Sequence, residues 1–290
     1  MNLSLFLSII SASLLFSIFK YFKKYNVVIL NAIVINYVIA ASLSFILPEE
    51  TKSLGYSIQQ PWFPITVLLG FLFIILFQVM AYASNHIGIA TTTIANKITF
   101  IFPTLLGILF FNEDWNYIKI AGFLIAILSI FLSAEKKVQL QRGNSYLLIS
   151  LLFFGGGVLE SLLNYSSKEL IAPGDVSIFF GYLFSFACLF GLLFMLSKHK
   201  KNHPFPSKKD IIWGITLGIP NYFSMWLLLE SLKHIPSSSA FPIANMGVIL
   251  GSTILSVILF QEKISFKKSI ALACSILAIV LISFYDSLLK

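Results

Sequence analysis

The segment NHIGIATTTIANKITFIFPTLLGILFFNE, residues 85–113, decides the fold, because KHIPSSSAFPIANMGVILGSTILSVILFQE, residues 233–262, repeats its plan. Asn85-His86-Ile87 and Lys233-His234-Ile235 open the two segments 148 residues apart. Ala95-Asn96 is echoed by Ala244-Asn245, and Phe111-Asn112-Glu113 by Phe260-Gln261-Glu262, both at an offset of 149. The step from 148 to 149 corresponds to one inserted residue. Outside the two segments, Lys20 and Lys168 keep the spacing of 148. Low-complexity apolar sequence matches itself easily at one place, but not at a constant offset over five apolar runs.

The surrounding chain is as apolar as these segments. Of its 290 residues, 58% are hydrophobic, 15% aromatic and 11% charged, with a mean hydropathy of +0.90. Soluble globular chains carry roughly 25% charged residues, so this one lacks the means to build a polar skin. The excess apolar surface must face lipid, which excludes a soluble enzyme, a DNA-binding protein and a single-span receptor with an aqueous domain. Apolar runs long enough to cross a bilayer predict spans at 3–20, 27–47, 62–84, 87–111, 117–134, 146–167, 176–196, 211–232, 237–260 and 268–285. The alternation of a membrane barrel is missing, so the spans are expected to be helices. The apolar N-terminus lacks the basic leader of a signal peptide and is expected to be a retained first span. Cys188 and Cys274 sit in apolar runs and read as small buried hydrophobes.

The expected fold is therefore an all-α integral membrane protein: ten transmembrane helices as two inverted five-helix repeats, residues 1–140 and 141–290. An odd-numbered unit must enter the membrane upside down the second time. Basic residues stay on the cytoplasmic side, so corresponding loops should differ in charge. Lys20, Lys23 and Lys24 follow span one, whereas Lys168, Glu169 and Asp175 follow span six. Lys52 with Glu49 and Glu50 follows span two, whereas Lys198, Lys200, Lys201, Lys208 and Lys209 follow span seven. Summed by side, one face holds 14 basic residues and the other 5, with Lys97 left inside span four. The net charge of +8 thus reflects membrane orientation and not a nucleic-acid partner. Lys-rich loops are expected in the cytoplasm of a bacterial cell with an inner membrane, and both termini outside.

Two inverted five-helix halves, each with a short hairpin before its fourth helix and an acidic residue just after it (Glu113, Glu262), resemble the drug/metabolite transporter superfamily, EamA type. The resemblance covers nearly the whole chain. It implies a secondary transporter of small organic solutes, often an exporter of amino acids or related metabolites. It also implies a central cavity surrounded by helices 1, 3, 4, 6, 8 and 9, with helices five and ten outside it. Where the family's first helix commonly carries a Trp, this chain has Leu14-Leu15-Phe16.

An ionisable residue inside a span is costly unless paired or wet, so its default reading is functional. Lys97 lies about ten residues into span four, roughly 15 Å deep. Glu160 sits near the middle of span six, on a face made of Phe153, Gly156, Gly157, Glu160, Asn164 and Ser167. With both helices at the cavity, the pair could orient the ammonium and carboxylate of a zwitterion, or exchange a proton as the site opens. A structural ion pair holding the halves in register is the alternative. Tyr222, Trp226 and Glu230 share a face of span eight, and the aligned residues of span three are Gln78 and Tyr82. This aromatic and polar wall suits an amphipathic solute, although Tyr82, Trp62 and Trp213 near span ends also read as interface anchors. Asn96 and Asn245 hold matching places, with substrate or each other as partners. Thr91-Thr92-Thr93 and Ser237-Ser238-Ser239 are expected to cap their helices with hydroxyls. Pro103 and Pro242 can bend theirs, and Gly247 with Gly251 forms a face for close helix contact. His86 and His234 read as turn residues.

No metal-ligand spacing, catalytic motif or phosphate-binding loop is present, so no enzyme activity, catalytic residue, metal or cofactor is expected. The expected partners are a small-molecule substrate and the lipid bilayer, with the proton as a candidate coupling ion and a homodimer as a candidate assembly. The competing reading is a membrane-embedded scaffold or assembly protein that carries no solute.

Overall fold

The computed structural model describes residues 2–48, 52–86, 92, 95–133, 145–172, 174–199, 205–261 and 264–288, whose regular structure is helical with no strand among them. The α-helices are α1 (Leu3–Tyr25), α2 (Ile29–Ile46), the short α3 (Leu54–Ile58), α4 (Phe63–His86), α5 (Ile101–Phe110), α6 (Tyr117–Ser133), α7 (Ser145–Tyr165), α8 (Val176–His199), α9 (Lys208–Ser231), α10 (Ser237–Phe260) and α11 (Phe266–Leu288). Among the described residues, six helices are long and apolar enough to cross a bilayer, and Leu3–Phe19, Ala95–Phe110 and Tyr117–Leu132 are shorter apolar helices. The chain is a multi-pass membrane protein, since hydrocarbon tolerates backbone only when its polar groups are bonded internally.

α1 outruns its sequence expectation. It continues to Tyr25, where Lys24 lies over the rings of Tyr21 and Tyr25 and its charge suits a helix C-terminus. The loop assigned after span one is therefore the last turns of α1, closed by Asn26 in the left-handed region. At the same end of the molecule α9 starts with a capping box between Ser207 and Asp210. The Asp210 carboxylate also accepts the Val28 N–H at 2.8 Å and the Asn31 amide at 3.2 Å, tying the start of α2 to the start of α9.

Contact registers give the direction of each helix. α2 and α8 cross antiparallel, with Gly181 facing Phe45 and Gly191 facing Val34. α6 and α11 do the same, with Gly122 facing Ile282 and Ser129 hydrogen-bonded to Ser275. So do α5 and α10: Lys97, just before α5, bonds Asn245, while Gly107 faces Ser237. α1 is antiparallel to α9, from Ser8–Ser224 to Tyr21–Trp213. α1 runs parallel to α10, where Gly247 and Gly251 face Ile9 and Ser13, so the paired glycines serve packing within the chain. α4 runs parallel to α8, and α2 to α9. Successive long helices therefore alternate in direction. The start of α1 and the end of α11 lie together at the end that holds Glu113, opposite the end that holds Asp210.

Glycines bring two pairs of helices onto each other's backbone. A Cβ on Gly70 would fall 2.8 Å from the Ala187 nitrogen and 2.9 Å from the Leu183 oxygen of α8, and one on Gly218 would fall 2.9 Å from the Asn36 oxygen of α2. Backbone cannot step aside as a side chain can. Trp62 corrects the reading of it as an interface anchor: it is fully buried, packed against Phe63, Phe179 and Tyr182 where α4 meets α8. Trp213 is likewise held in the protein, stacked on Tyr21 and Tyr25.

Gly70→Val and Gly218→Val should each destabilise the detergent-solubilised protein by about 1–3 kcal/mol, the usual cost of overpacking, read as a fall in melting temperature. Gly55→Ala, whose Cβ meets nothing nearer than Ser53 Oγ at 3.9 Å, should leave the melting temperature unchanged or slightly raised.

Candidate functional site

Three helical segments bring charge together inside the membrane. Lys97 comes from the turn before α5, Glu160 from α7 and Asn245 from α10. The Lys97 ammonium donates to Asn245 Oδ1 at 3.1 Å, and the Asn245 amide nitrogen donates to the Phe241 carbonyl at 3.1 Å. The Glu160 carboxyl faces the Lys97 ammonium, the Thr99 hydroxyl and the Asn245 amide. Its Oε2 is sealed off and has no hydrogen-bond partner among the described residues. Counting 1.5 Å per residue from the Gly107–Ser237 contact, Lys97 lies about 15 Å and Asn245 about 12 Å inside.

Local chemistry explains why these groups meet. Pro103 offers no N–H to the Thr99 carbonyl, and the backbone just before it tightens into a 3-10 turn at Ile98–Phe100. The predicted face of α7 then receives this turn. Phe102 lies against Phe153 and Gly157, Thr99 against Gly156, and Asn164 donates to the Pro103 carbonyl at 3.3 Å. Small residues let the helices close in, so that Glu160 reaches the same depth as Lys97. Asn164 thereby acts as a clip between α7 and α5, while its Oδ1 has no hydrogen-bond partner among the described residues.

The other predicted residues fall in two groups. Tyr222 is buried, its hydroxyl 2.8 Å from Ser177 Oγ and its ring stacked on Trp226 with 6.4 Å between centroids. Trp226 is partly buried and lies about 7.5 Å from the end of α9, whereas Tyr222, one turn deeper, is near the depth of Asn245. Gln78 is partly buried and its Nε2 has no hydrogen-bond partner among the described residues. Tyr82, by contrast, is 51% exposed and stands near the far end of α4, away from the charged cluster. Asn96 is partly buried and its carbonyl accepts the Thr99 hydroxyl at 2.6 Å. Thr99 was not singled out from the sequence, since a threonine in an apolar helix carries no signal of its own. Glu230 pairs with Lys233 at 2.7 Å, outside the cluster. A cavity of about 270 Å³ lies between α4 and α7, lined by apolar residues such as Leu76, Leu151 and Phe154 with Ser150, and none of the candidate residues lines it.

A second polar assembly closes the Glu113 end. Glu113 Oε1 accepts the Ser237 N–H at 2.9 Å and the Ser237 hydroxyl at 2.7 Å, and Oε2 accepts the Ser238 N–H at 2.7 Å. Lys168, on a π-helical turn at Ser166–Leu170, pairs with the same carboxylate. This corrects the expected cap: the free N–H groups of α10 are met by a carboxylate 124 residues away, and Ser237 donates to it. Thr91, Thr93 and Glu262 lie outside the described residues. Nearby, Lys52 and Tyr56 hold Asp175 at the start of α8. No cluster of His, Cys, Asp and Glu able to hold a metal occurs among the described residues.

Residues 147–284 match the profile of the EamA-like transporter family. This second half of the chain thus matches the EamA-type drug/metabolite transporters. A relative from Haemophilus influenzae, described only as uncharacterized, is 27% identical over 280 residues, covering 93% of this chain and 94% of its own. A solved crystal structure superposes with a TM-score of 0.76 at 16% identity, covering 98% of this chain and 100% of that one, and so shares the fold. The match points to a membrane transporter that acts on small molecules in a bilayer.

In the transporter, the Glu113 carboxyl sits in a loop outside the spans. Burial alone would raise its pKa, but hydrogen bonds from Lys168, Ser238 and Ser237 outweigh that and pull it to about 2. The carboxylate's contribution to stability is therefore complete above the ordinary carboxylate range and lost only as pH falls toward 2. The gap in melting temperature between the transporter and its Glu113→Gln variant should stay constant from about pH 8 to pH 5 and close below that. A gap that closes between pH 7 and 6 would contradict this.

Proposed function

We propose that the protein is a secondary active transporter that exports a small zwitterionic solute, such as an amino acid or related metabolite, by alternating access. The observation that carries this reading is the meeting of Lys97, Glu160 and Asn245 inside the bilayer. A partly buried cation and anion on separate helices present one pole each to the ammonium and carboxylate of a zwitterion, and the sealed Glu160 oxygen marks an acceptor still to be filled. Tyr222 at similar depth, with Trp226 one turn nearer the Glu113 end, supplies an apolar wall for the side chain of the solute. Proton release or uptake by the Lys97–Glu160 pair would provide coupling.

The architecture proposed with it is ten spans in two inverted halves, residues 1–140 and 141–290. Three observations support it. Equivalent helices meet antiparallel in three pairs, α2 with α8, α5 with α10 and α6 with α11. Among the described residues, the positive-φ positions are Asn26, Gly174, Asn112 and Gln261, which form two pairs 148 and 149 residues apart. Gly70 and Gly218, also 148 apart, make the same backbone approach in each half. Both termini are proposed to lie outside the cytoplasm, with the lysine-rich Asp210 end facing it.

Purified protein should be screened by thermal shift against amino acids, nucleosides and aromatic cations, since a ligand that binds only the folded state raises the melting temperature. A zwitterion that stabilises the wild type should bind Lys97→Ala and Glu160→Gln roughly 10- to 100-fold more weakly, the loss expected for a charge-assisted hydrogen bond. The same solute should exchange by counterflow in proteoliposomes of the wild type and not of either variant. Undiminished counterflow in either one would remove the site assignment, and a chain that binds and moves no solute would be a scaffold.

A further inference from the structure

The Glu113 end is closed by parts that come from opposite halves of the sequence. The corner after α5 supplies Glu113. The π-helical turn after α7 supplies Lys168, whose ammonium also lies 4.7 Å from the Phe111 ring. The first turn of α10 supplies two N–H groups and a hydroxyl. The approach is so close that a Cβ on Gly107 would fall 2.6 Å from Glu113 Oε2 and 2.6 Å from Ser237 Oγ. Just beneath, Ser239 is fully buried and its hydroxyl has no hydrogen-bond partner among the described residues. Deeper on the same helices lie Asn245 and Lys97.

We propose that Glu113 is the latch of a gate: bound to Lys168 and to the start of α10 it shuts this end, and its release opens a path from this end to the Lys97–Glu160–Asn245 cluster. The proposal rests on the alternating-access reading above. Every group the latch would free is polar and lies at a helix end, so water can replace each bond at small net cost. The segments that carry the latch also have places to bend. The 3-10 turn at Ile98–Phe100 and Pro103 separate Lys97 from Gly107, so the far half of α5 can swing while Lys97 stays. The π-helical turn lets the end of α7 shift without unwinding the helix above it. The contacts of α4 with α8 and of α2 with α9, where glycines touch backbone, have no such exchange with water.

The test uses the full chain in proteoliposomes with Cys188 and Cys274 replaced by serine and Ser239→Cys as reporter. A charged, membrane-impermeant maleimide is added from one side at a time. The parent should react slowly from the Glu113 end. Glu113→Gln and, separately, Lys168→Met should raise that rate about tenfold or more, as expected from losing an ionic hydrogen bond, with no rise from the Asp210 end. Gly107→Leu, a wedge that leaves the charges intact, should do the same. If only the wedge speeds labelling, the end is gated but Glu113 is not its latch. If neither the wedge nor the charge variants change the rate, the alternating-access reading itself fails at this end. A rise from both sides together with a collapse in melting temperature would mark Glu113 as a structural staple and overturn the latch.

Discussion

A charge held about 15 Å from the membrane surface has to be compensated by the protein, because hydrocarbon supplies neither counter-ions nor hydrogen bonds. That constraint decides where the interior of this transporter is assembled. Lys97 can be tolerated only where α7 and α10 bring Glu160 and Asn245 to it. The glycines at 156 and 157 exist on the face of α7 that must let the Thr99–Phe102 turn approach. The sequence of α5, with Pro103 after a tightened turn, aims its polar residues into that contact. Composition, helix shape and placement of charge thus follow from one desolvation cost.

The same rule governs the helix ends. Each helix start leaves N–H groups without partners, and here carboxylates from distant segments meet several of them. Asp210 of α9 serves Val28 at the start of α2. Glu113 serves Ser237 and Ser238 at the start of α10. Each cap is therefore also a tertiary tie. A local serine could have satisfied the same N–H group, but it would have joined nothing to anything else. Lysines pair with the buried carboxylates of Glu113 and Asp175, and only the lysine side chains there, 22% and 27% exposed, stay partly outside the protein.

Much of this was legible in the sequence. The constant spacing between Phe111-Asn112-Glu113 and Phe260-Gln261-Glu262 pointed to a repeated corner, and Asn112 and Gln261 share a left-handed backbone there. Lys97 and Glu160 stood out as charges in apolar helices, and helical spacing placed Glu160, Asn164 and the glycines on one face. Other features depend on contacts between distant segments, which periodicity cannot see. Nothing in Ser237-Ser238-Ser239 announces that Glu113 will cap it. Trp62 looks like an anchor because it lies near a span end, and only the docking of α4 on α8 buries it. Tyr82 follows the repeat into alignment with Glu230, yet α4 carries it to the far end of the bundle and out of the cluster. Gly70 and Gly218 carry no signal until the partner backbone is in place.

The kinds of contact divide the bundle into a part that holds and a part that can yield. α2, α4, α8 and α9 meet through backbone approaches at Gly70 and Gly218 and through buried rings such as Tyr37, Phe179 and Phe184. Parting these would open voids that neither lipid nor water fills without losing dispersion contacts. α5, α7 and α10 meet instead at glycines facing side chains, at amide clips and at the carboxylate of Glu113. The polar contacts among these can be exchanged one for one with water at the surface or with a polar solute inside. A transporter needs both properties: a frame whose contacts are too costly to break, and a core whose contacts cost little to replace. The residue types at each interface assign the two roles without any appeal to overall shape. The charged cluster belongs to the second group, so a solute that replaces its internal partners would act on the helices best able to move.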